Sequence, residues 1–260
     1  MKMETLKEEI RGLKNLALAF SGGVDSSFLA CVASEILGAN FIALTIKTPY
    51  MSEREISQAI NFAKIHKFRH EILELQTPQE IANNPQNRCY LCKKNLFENL
   101  IKFGQNLGFS NFADGTNKDD LGEDRPGLRA VRELGVISPL INLTKAQIRE
   151  YSHALRLESA DLPSFACLLT RLPHGREFSV DDLKLVERVE NLLIQNGFAN
   201  IRARFNGRNL KIEMPRALMS EFVASENFAK IIQKIDEISQ IDEILLDLKG
   251  FRKEVLNEKG

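Results

Sequence analysis

Leu16-Ala-Leu-Ala-Phe-Ser-Gly-Gly-Val-Asp-Ser-Ser27 indicates the fold class, because an apolar run passes through a glycine turn directly into a helix. Leu16–Phe20 has the length and composition of a buried strand. Ser26–Leu37 follows, with Phe28 and Val32 at helical spacing on one face. A buried strand that leads straight into a helix is typical of the first half of a parallel strand–helix–strand unit.

Strands and helices continue to alternate along the first half of the chain. Further strands are predicted over 41–46, 71–75 and 111–114. Helices are predicted over 52–66, 93–107 and 144–155. Ser52 and Thr144 each begin the residue spacing of a capping box. The alternation predicts an α/β fold with a doubly wound parallel sheet.

The pattern changes after residues 156–178, which lack periodicity and are typical of a linker or an active-site loop. A helix over 180–196, strands over 200–205 and 210–214, helices over 216–224 and 226–238 and a strand over 243–248 are predicted. Asn206-Gly207 between the first two of these strands is a strong hairpin signal. We therefore predict two domains, the α/β domain over 1–157 and a smaller C-terminal α+β domain over 158–260.

Composition excludes several classes of protein. The 260 residues are 43% hydrophobic and 27% charged, and 35 Lys and Arg balance 35 Asp and Glu. A zero net charge argues against a protein that binds nucleic acid over a broad surface. We find neither a membrane-length apolar stretch nor a secretory signal pattern, and therefore expect a cytoplasmic protein whose four cysteines form no structural disulfides.

The glycine loop after the first strand has the features of an anion site. Glycines let the backbone turn tightly, and the following helix directs free N–H groups and its positive dipole end at a ligand. Asp25 beside such a site suggests that magnesium accompanies the anion. A plain strand-to-helix turn capped by Asp25 or Ser26 is the alternative. The candidate ligand-binding residues are Ser21, Gly22, Gly23, Val24, Asp25, Ser26 and Ser27.

This heptapeptide resembles the PP-loop of the ATP pyrophosphatases, whose pattern is Ser-Gly-Gly-x-Asp-Ser. The resemblance implies that ATP is cleaved between its α- and β-phosphates and that a substrate is adenylated. Asp114–Asp120, after the fourth predicted strand, is similar to the Gly-Thr-x-x-x-Asp element of the same superfamily. By that resemblance Gly115, Thr116 and Asp119 approach the nucleotide and Mg²⁺, with Asp25 as a magnesium ligand.

Further segments resemble one subgroup, the ATP-dependent sacrificial sulfur transferases of the LarE type. They are Asn87–Lys93, Arg125–Leu128 with Glu133–Leu140, Ala166–Gly175 and the hairpin 201–213. The resemblance implies adenylation of pyridinium-3,5-biscarboxylic acid mononucleotide, sulfur insertion for the nickel-pincer nucleotide cofactor, and a C-terminal domain for sulfur transfer, substrate binding and oligomerisation. The run Leu162–Phe165 departs from the family in being bulkier.

The same resemblance implies a substrate and sulfur site made of Glu190, Arg202, Arg204, Glu213 and the catalytic Cys167. Arg202 and Arg204 lie two residues apart and so share one strand face. Paired guanidinium groups favour a phosphate or carboxylate partner, and a solvated strand face is the alternative.

Three cysteines leave the sulfur source open. Cys89, Cys92 and Cys167 supply three thiolates, enough to hold a 4Fe-4S cluster with one open iron that delivers sulfide. Alternatively, Cys167 acts alone and is consumed, or the cysteines hold a structural zinc. Cys31 lies on the core face of its predicted helix, and we interpret it as a small buried hydrophobe.

Two other functions compete with the sulfur transferase of the nickel-pincer pathway. A PP-loop tRNA thiolase would use the same adenylation and sulfur-transfer chemistry, but the zero net charge argues against tRNA as the substrate. A non-catalytic ATP-binding sensor module leaves Asp25 and the three cysteines without a purpose. We therefore expect a small-molecule nucleotide substrate, a homo-oligomer, and neither a nucleic-acid nor a membrane partner.

Overall fold

The structure is a computed structural model that describes residues 2–122, 126–163, 166–238 and 241–250. The chain divides into two compact units, residues 1–165 and 166–260. Two parts of the sequence interpretation lie outside the described residues: Arg125, in one of the family-like segments, and Ser164-Phe165, in the bulkier run before Cys167.

The first unit is built on a four-stranded sheet. Its strands are β1 (Leu16–Ala19), β2 (Phe41–Lys47), β3 (His70–Glu74) and β4 (Phe112–Ala113). They lie side by side in the order β3-β2-β1-β4, and every neighbouring pair is parallel. The predicted parallel sheet is therefore confirmed.

Helices cover both faces of this sheet. They are α1 (Lys2–Arg11), α2 (Val24–Leu37), α3 (Glu53–His66), α4 (Arg88–Asn106), α5 (Pro126–Glu133) and α6 (Lys145–Ala154). Leu16 and Leu18 of β1 share a core with α1, α2, α3 and α6, whereas Ala17 belongs to a second core with α4 and α5. Since successive strand residues point to opposite faces, the doubly wound arrangement is confirmed.

The strand order creates a switch point between β1 and β4. The chain moves outward from β1 to β3 and then returns to place β4 on the other side of β1. Ligands of open α/β sheets bind outside the carboxyl ends of the strands at such a point. The glycine loop follows β1, and the segment Asp114–Asp120, which we call the Gly115 loop, follows β4, so the fold puts both loops at this position.

The second unit is a small α+β structure. Its elements are α7 (Val180–Gln195), β5 (Arg202–Phe205), β6 (Asn209–Glu213), α8 (Arg216–Ala224), α9 (Phe228–Ile238) and β7 (Glu243–Leu246). The strands form a sheet in the order β5-β6-β7, with β7 parallel to β6. In the described ranges of both units, no helix is long and apolar enough to cross a lipid bilayer.

The hairpin predicted at Asn206-Gly207 is confirmed. β5 and β6 pair antiparallel, with Arg202 opposite Glu213. Gly207 has φ +95°, which a residue with a side chain rarely adopts. The Asn206 side-chain oxygen accepts the backbone N–H of Asn209 at 2.8 Å and thereby closes the turn.

The start of α4 and the cap of α3 differ from the prediction. The helix α4 begins at Arg88 rather than Lys93, which places Cys89 and Cys92 in its first turns. Ser52 occupies the N-cap position of α3, but its side chain accepts no capping hydrogen bond in this described segment, so the predicted capping box there is wrong. The capping box of Thr144 is confirmed.

The two units meet in sequence at 165/166, whereas the predicted domain boundary is 157/158. Arg149 of α6 accounts for the later position. Its guanidinium donates to the carbonyl oxygens of Ala160 and Leu162, the latter at 2.9 Å. These hydrogen bonds hold the segment after α6 on the first unit.

Candidate active site

The glycine loop has a backbone shape that requires glycine. Gly22 has φ +72°, and a Cβ atom at this position would lie 2.9 Å from the Cα atom of Ala59 in α3. The carbonyl oxygen of Gly22 accepts a hydrogen bond from Gln58 Nε2 at 3.0 Å. The loop therefore lies directly against α3, and its conformation is set by backbone contacts.

The strand edge that leads into the loop is fixed by a polar chain. Thr45 Oγ1 donates to the carbonyl oxygen of Phe20 at 2.7 Å, and His70 Nε2 lies 2.8 Å from Thr45 Oγ1. Because the hydroxyl proton is already donated to Phe20, the His70 ring donates its Nε2–H. Burial lowers the pKa of His70, which favours this neutral ring.

The first turn of α2 provides N–H donors for an anion. Its N-cap residue is Gly23, which has no side chain with which to cap the helix end. Ser26 Oγ instead organises the loop, since it lies 3.1 Å from Ser21 Oγ and 3.2 Å from the carbonyl oxygen of Gly23. Ser27 is fully buried, so the structure places its hydroxyl away from solvent and not at the mouth of the loop.

The Gly115 loop packs against the glycine loop at the edge of the sheet where β1 and β4 end. A Cβ atom on Gly115 would lie 3.1 Å from the backbone nitrogen of Ser26. Asn117 Nδ2 donates to Asp25 Oδ1 at 3.3 Å. Glycine thus permits the close approach, and the amide joins the two loops.

Polar side chains give the Gly115 loop its shape. Thr116 donates its hydroxyl to Asp114 Oδ2 at 2.6 Å, and Ser138 Oγ donates to Asp114 Oδ1 at 2.7 Å. Asp119 Oδ2 accepts the backbone N–H of Lys145 at 2.8 Å, where α6 begins. In this structure Asp114 is the shared anchor of Thr116 and Ser138, and Asp119 joins the loop to the start of α6.

Lys145 is a site residue that the sequence reasoning missed. Its ammonium group forms an ion pair with Asp25 Oδ2, and both side chains are largely shielded from solvent. It therefore balances the charge of the carboxylate predicted to bind magnesium. A signal was present, because the Thr144 capping box places Lys145 in the first turn of its helix, but 120 residues separate the two partners.

Cys89 and Cys92 lie three residues apart on α4. Cys89 is exposed, whereas Cys92 is half-buried and its Sγ lies 3.2 Å from Tyr50 Oη. Burial raises the pKa of Cys92, although the hydrogen bond from Tyr50 partly opposes this. Among the residues that the structure describes, no three His, Cys, Asp or Glu side chains are arranged to hold a metal ion.

Cys31 is half-buried against the core of the first unit rather than fully inside it. Burial, with the nearby carboxylate of Glu158, raises its pKa to about 12. Its thiol is therefore protonated at neutral pH, in agreement with the interpretation as a packing residue.

In the second unit, Cys167 is exposed and begins a short 3-10 turn, Leu168–Arg171. Its carbonyl oxygen accepts the Thr170 N–H at 3.0 Å and the Thr170 hydroxyl at 2.8 Å. The thiol therefore sits on a hydrogen-bonded turn and is accessible to an electrophile.

Glu190, predicted to bind substrate, is buried in α7 and engaged within the protein. Its two carboxylate oxygens accept from Arg171 Nε at 2.8 Å and Nη2 at 3.1 Å. Oε1 also accepts the backbone N–H of Ala203 at 3.0 Å. The carboxylate thus joins α7 to the Cys167 turn and to β5.

Arg202 and Arg204 share one face of β5, as predicted, because Ala203 and Phe205 between and beyond them are buried. Arg204 Nε lies 2.8 Å from Glu213 Oε2, and Lys211 Nζ lies 2.8 Å from the other oxygen of Glu213. Burial alone would raise the pKa of Glu213, but the hydrogen bonds from these two cations outweigh it and hold the pKa below its usual range.

Residues 3–100 match the NAD synthase family, which covers the glycine loop and β1 to β3. An uncharacterised protein of Synechocystis is 34% identical over 98% of this chain and 97% of its own length. The pyridinium-3,5-bisthiocarboxylic acid mononucleotide synthase of Lactiplantibacillus plantarum is 27% identical over 99% of this chain and 94% of its own length. The chain belongs to the same family as the Synechocystis protein, and it is similar to the PP-loop proteins of the LarE type.

These similarities indicate the general chemistry. The protein is an ATP-using enzyme of the PP-loop class, and Mg²⁺ accompanies the nucleotide. An uncharacterised protein of Methanocaldococcus jannaschii, 36% identical over 90% of this chain and 86% of its own length, is a further relative.

Proposed function

We propose that the protein is an ATP-dependent sulfur transferase that adenylates a carboxylate of pyridinium-3,5-biscarboxylic acid mononucleotide and replaces an oxygen of that carboxylate with sulfur. The observation that carries the proposal is the glycine loop at the switch point of the sheet, with Asp25 held between Lys145 and Asn117. Similarity to the Lactiplantibacillus synthase over nearly the whole chain supports the choice of substrate.

Adenylation makes the carboxylate reactive. A carboxylate oxygen attacks the α-phosphorus of ATP, the bond from this phosphorus to the bridging oxygen breaks, and pyrophosphate leaves. The N–H groups at the start of α2 stabilise negative charge on the phosphates as it develops. Bound magnesium, with Asp25 as a ligand, would neutralise phosphate charge and orient the leaving group.

The residues around Asp25 fit a magnesium site. Carboxylate oxygens are the ligands that this ion prefers, and Asp25 and Asp119 supply them in neighbouring loops. Lys145 already provides a positive charge beside Asp25. A cation is therefore compatible with this position, and Lys145 would be available to a phosphate oxygen if Asp25 held the metal.

Sulfur transfer follows from the thiol of Cys167. Its thiolate attacks the carbonyl carbon of the acyl adenylate, AMP leaves, and a thioester joins substrate to protein. Removal of the Cα proton of Cys167 then breaks the Cβ–Sγ bond, which leaves dehydroalanine in the chain and a thiocarboxylate on the product. The exposed position of Cys167 supports this route, in which each chain is used once.

A cluster-based route is the second candidate, and the pair Cys89 and Cys92 on one helix favours it. The arrangement described here does not by itself fit a 4Fe-4S cluster, because Cys92 Sγ contacts Tyr50 Oη at 3.2 Å and no three-ligand group is formed among the described residues. We therefore derive no step through a cluster.

A single-turnover reaction tests the proposal. The protein is mixed with ATP, Mg²⁺ and the biscarboxylate substrate, and pyrophosphate, AMP and thiocarboxylate are quantified with the intact protein mass. We expect one AMP and one thiocarboxylate for each chain that loses the mass of H₂S. Pyrophosphate without any thiocarboxylate would overturn the sulfur-transfer step, and no pyrophosphate in the presence of this substrate would overturn the choice of acceptor.

Iron and sulfide analysis after anaerobic purification separates the two sulfur sources. Wild type is compared with Cys89→Ala, and Cys31→Ser is the matched control because Cys31 is a packing residue of the same unit. Iron that is present in wild type and Cys31→Ser but absent from Cys89→Ala would establish the cluster route. The homo-oligomer expected from the family remains a prediction, to be tested by light scattering.

A further inference from the structure

The turn that carries Cys167 is fixed by hydrogen bonds from the buried guanidinium group of Arg171. Arg171 is only 6% exposed, although arginine is rarely buried without a partner. Its Nη1 donates to the carbonyl oxygen of Ala166 and to Thr170 Oγ1, both at 2.8 Å, and lies 3.4 Å from the carbonyl oxygen of Cys167. One nitrogen thus contacts acceptors on both sides of the cysteine.

The other side of the same guanidinium is fixed by Glu190. Nε and Nη2 of Arg171 form a two-point contact with the carboxylate, and both side chains are almost completely buried. Charge-assisted contacts of this kind set orientation as well as distance. Glu190 is itself fixed, since it also accepts the N–H of Ala203 in β5.

A second anchored arginine acts on the end of the same turn. Arg204 Nη1 donates to the carbonyl oxygen of Thr170 at 2.8 Å, while its Nε is paired with Glu213. The carbonyl oxygens of residues 166, 167 and 170 are therefore all within reach of arginines whose own positions are set by carboxylates. The backbone around the thiol is held independently of any ligand.

We propose that Arg171 and Glu190 form a positioning pair that fixes the Cys167 turn, and that Glu190 serves to orient Arg171 rather than to bind substrate. A sulfur nucleophile must be held in an attack geometry, and small displacements are costly in rate. This consequence for catalysis rests on the proposed function, whereas the order of the turn is a property of the protein alone.

Hydrogen exchange across residues 166–172 tests the positioning pair without nucleotide or substrate. Arg171→Lys keeps the positive charge but removes the planar set of guanidinium N–H donors. Glu190→Gln keeps an acceptor for the Ala203 N–H but removes the negative charge. We expect each variant to raise the exchange rate of this segment about tenfold, in line with a locally opened turn. Unchanged exchange in both variants would overturn the inference.

Two controls separate positioning from general loss of stability. Val189→Ala creates a cavity beside Glu190 in the buried face of α7 without removing a hydrogen bond to the turn, because valine has no polar side-chain atom. Arg208→Lys alters an ion pair with Asp242 that is largely exposed. Both should leave exchange of 166–172 within about twofold of wild type. If Val189→Ala accelerates exchange as much as Glu190→Gln does, the effect is destabilisation and the inference fails.

The same variants distinguish this inference from the proposed function. If the function holds, Arg171→Lys should release pyrophosphate at nearly the wild-type rate, while thiocarboxylate formation falls at least about tenfold. Equal loss of both products would contradict a role specific to Cys167. If wild type releases no pyrophosphate but the exchange result holds, the proposed function fails and the positioning pair stands.

Discussion

The glycine loop of the first unit and the Cys167 turn of the second are built by different means. Backbone conformation shapes the glycine loop, since Gly22 has positive φ and lies against Ala59. Side-chain pairs distant in sequence shape the Cys167 turn, through Arg171 with Glu190. The difference shows why a short motif identifies the first region, whereas the second is understood only from its contacts.

The largest effect is expected from breaking the buried pair of the second unit. Glu190→Ala leaves the Arg171 guanidinium buried without its carboxylate, which typically destabilises a protein by about 3–5 kcal/mol. Urea denaturation followed by circular dichroism measures this loss. Replacing both residues by Leu and Met should restore part of the stability, and a double variant as unstable as Glu190→Ala would contradict this explanation.

A backbone change should disable the first region. Gly22→Ala forces an alanine into positive φ, at about 1–3 kcal/mol, and adds contact with the Ala59 backbone. We expect a lower melting temperature and loss of ATP-dependent pyrophosphate release. Gly38→Ala is the control, because Gly38 also has positive φ but its Cβ would enter open space. If both variants behave alike, close packing of the loop against α3 is not what makes Gly22 necessary.

The sequence predicts the glycine loop, whose shape is set by the backbone, more completely than the Cys167 turn, whose shape is set by side-chain pairs. The strand-to-helix turn after β1 and the Asn206-Gly207 turn follow from local chemistry, and the structure contains both turns, although the Ser27 hydroxyl is buried. Lys145 was missed, because its contact with Asp25 depends on how the sheet and α6 pack. The family resemblance predicts Glu190 as a substrate residue, and only the structure reveals that its oxygens are engaged by Arg171 and Ala203.

Substitution of Lys145 tests whether side-chain charge also affects ligand binding at the glycine loop. Lys145→Met leaves Asp25 without its cation, so the site should bind ATP about tenfold more weakly and free Mn²⁺, a probe for Mg²⁺, more tightly. Isothermal titration and electron paramagnetic resonance measure the two affinities. Lys118→Met, at an exposed lysine of the Gly115 loop, should change neither. A fall in Mn²⁺ affinity on removing Lys145 would contradict the proposed charge balance.

The smallest effect concerns pH and the second unit. The pKa of Glu213 is lowered in the folded protein, so its contribution to stability is present above the unfolded value of about 4.3 and is lost as pH falls through the folded value. The stability difference between wild type and Glu213→Gln should therefore be constant from about pH 5 to 8 and shrink below about pH 4. Glu243→Gln, on the exposed strand β7, controls for loss of a surface carboxylate. A stability difference between wild type and Glu213→Gln that grows as the pH falls would contradict the stabilising role of the ionised Glu213.

The most direct test of the central claim follows the oxygen that leaves the substrate. The biscarboxylate is labelled with oxygen-18 in its carboxylates, and AMP from a single turnover with ATP and Mg²⁺ is analysed by mass spectrometry. Adenylation of the carboxylate predicts one labelled oxygen in each AMP, in equal amount to the thiocarboxylate formed. Unlabelled AMP, or ADP with phosphate in its place, would contradict the account.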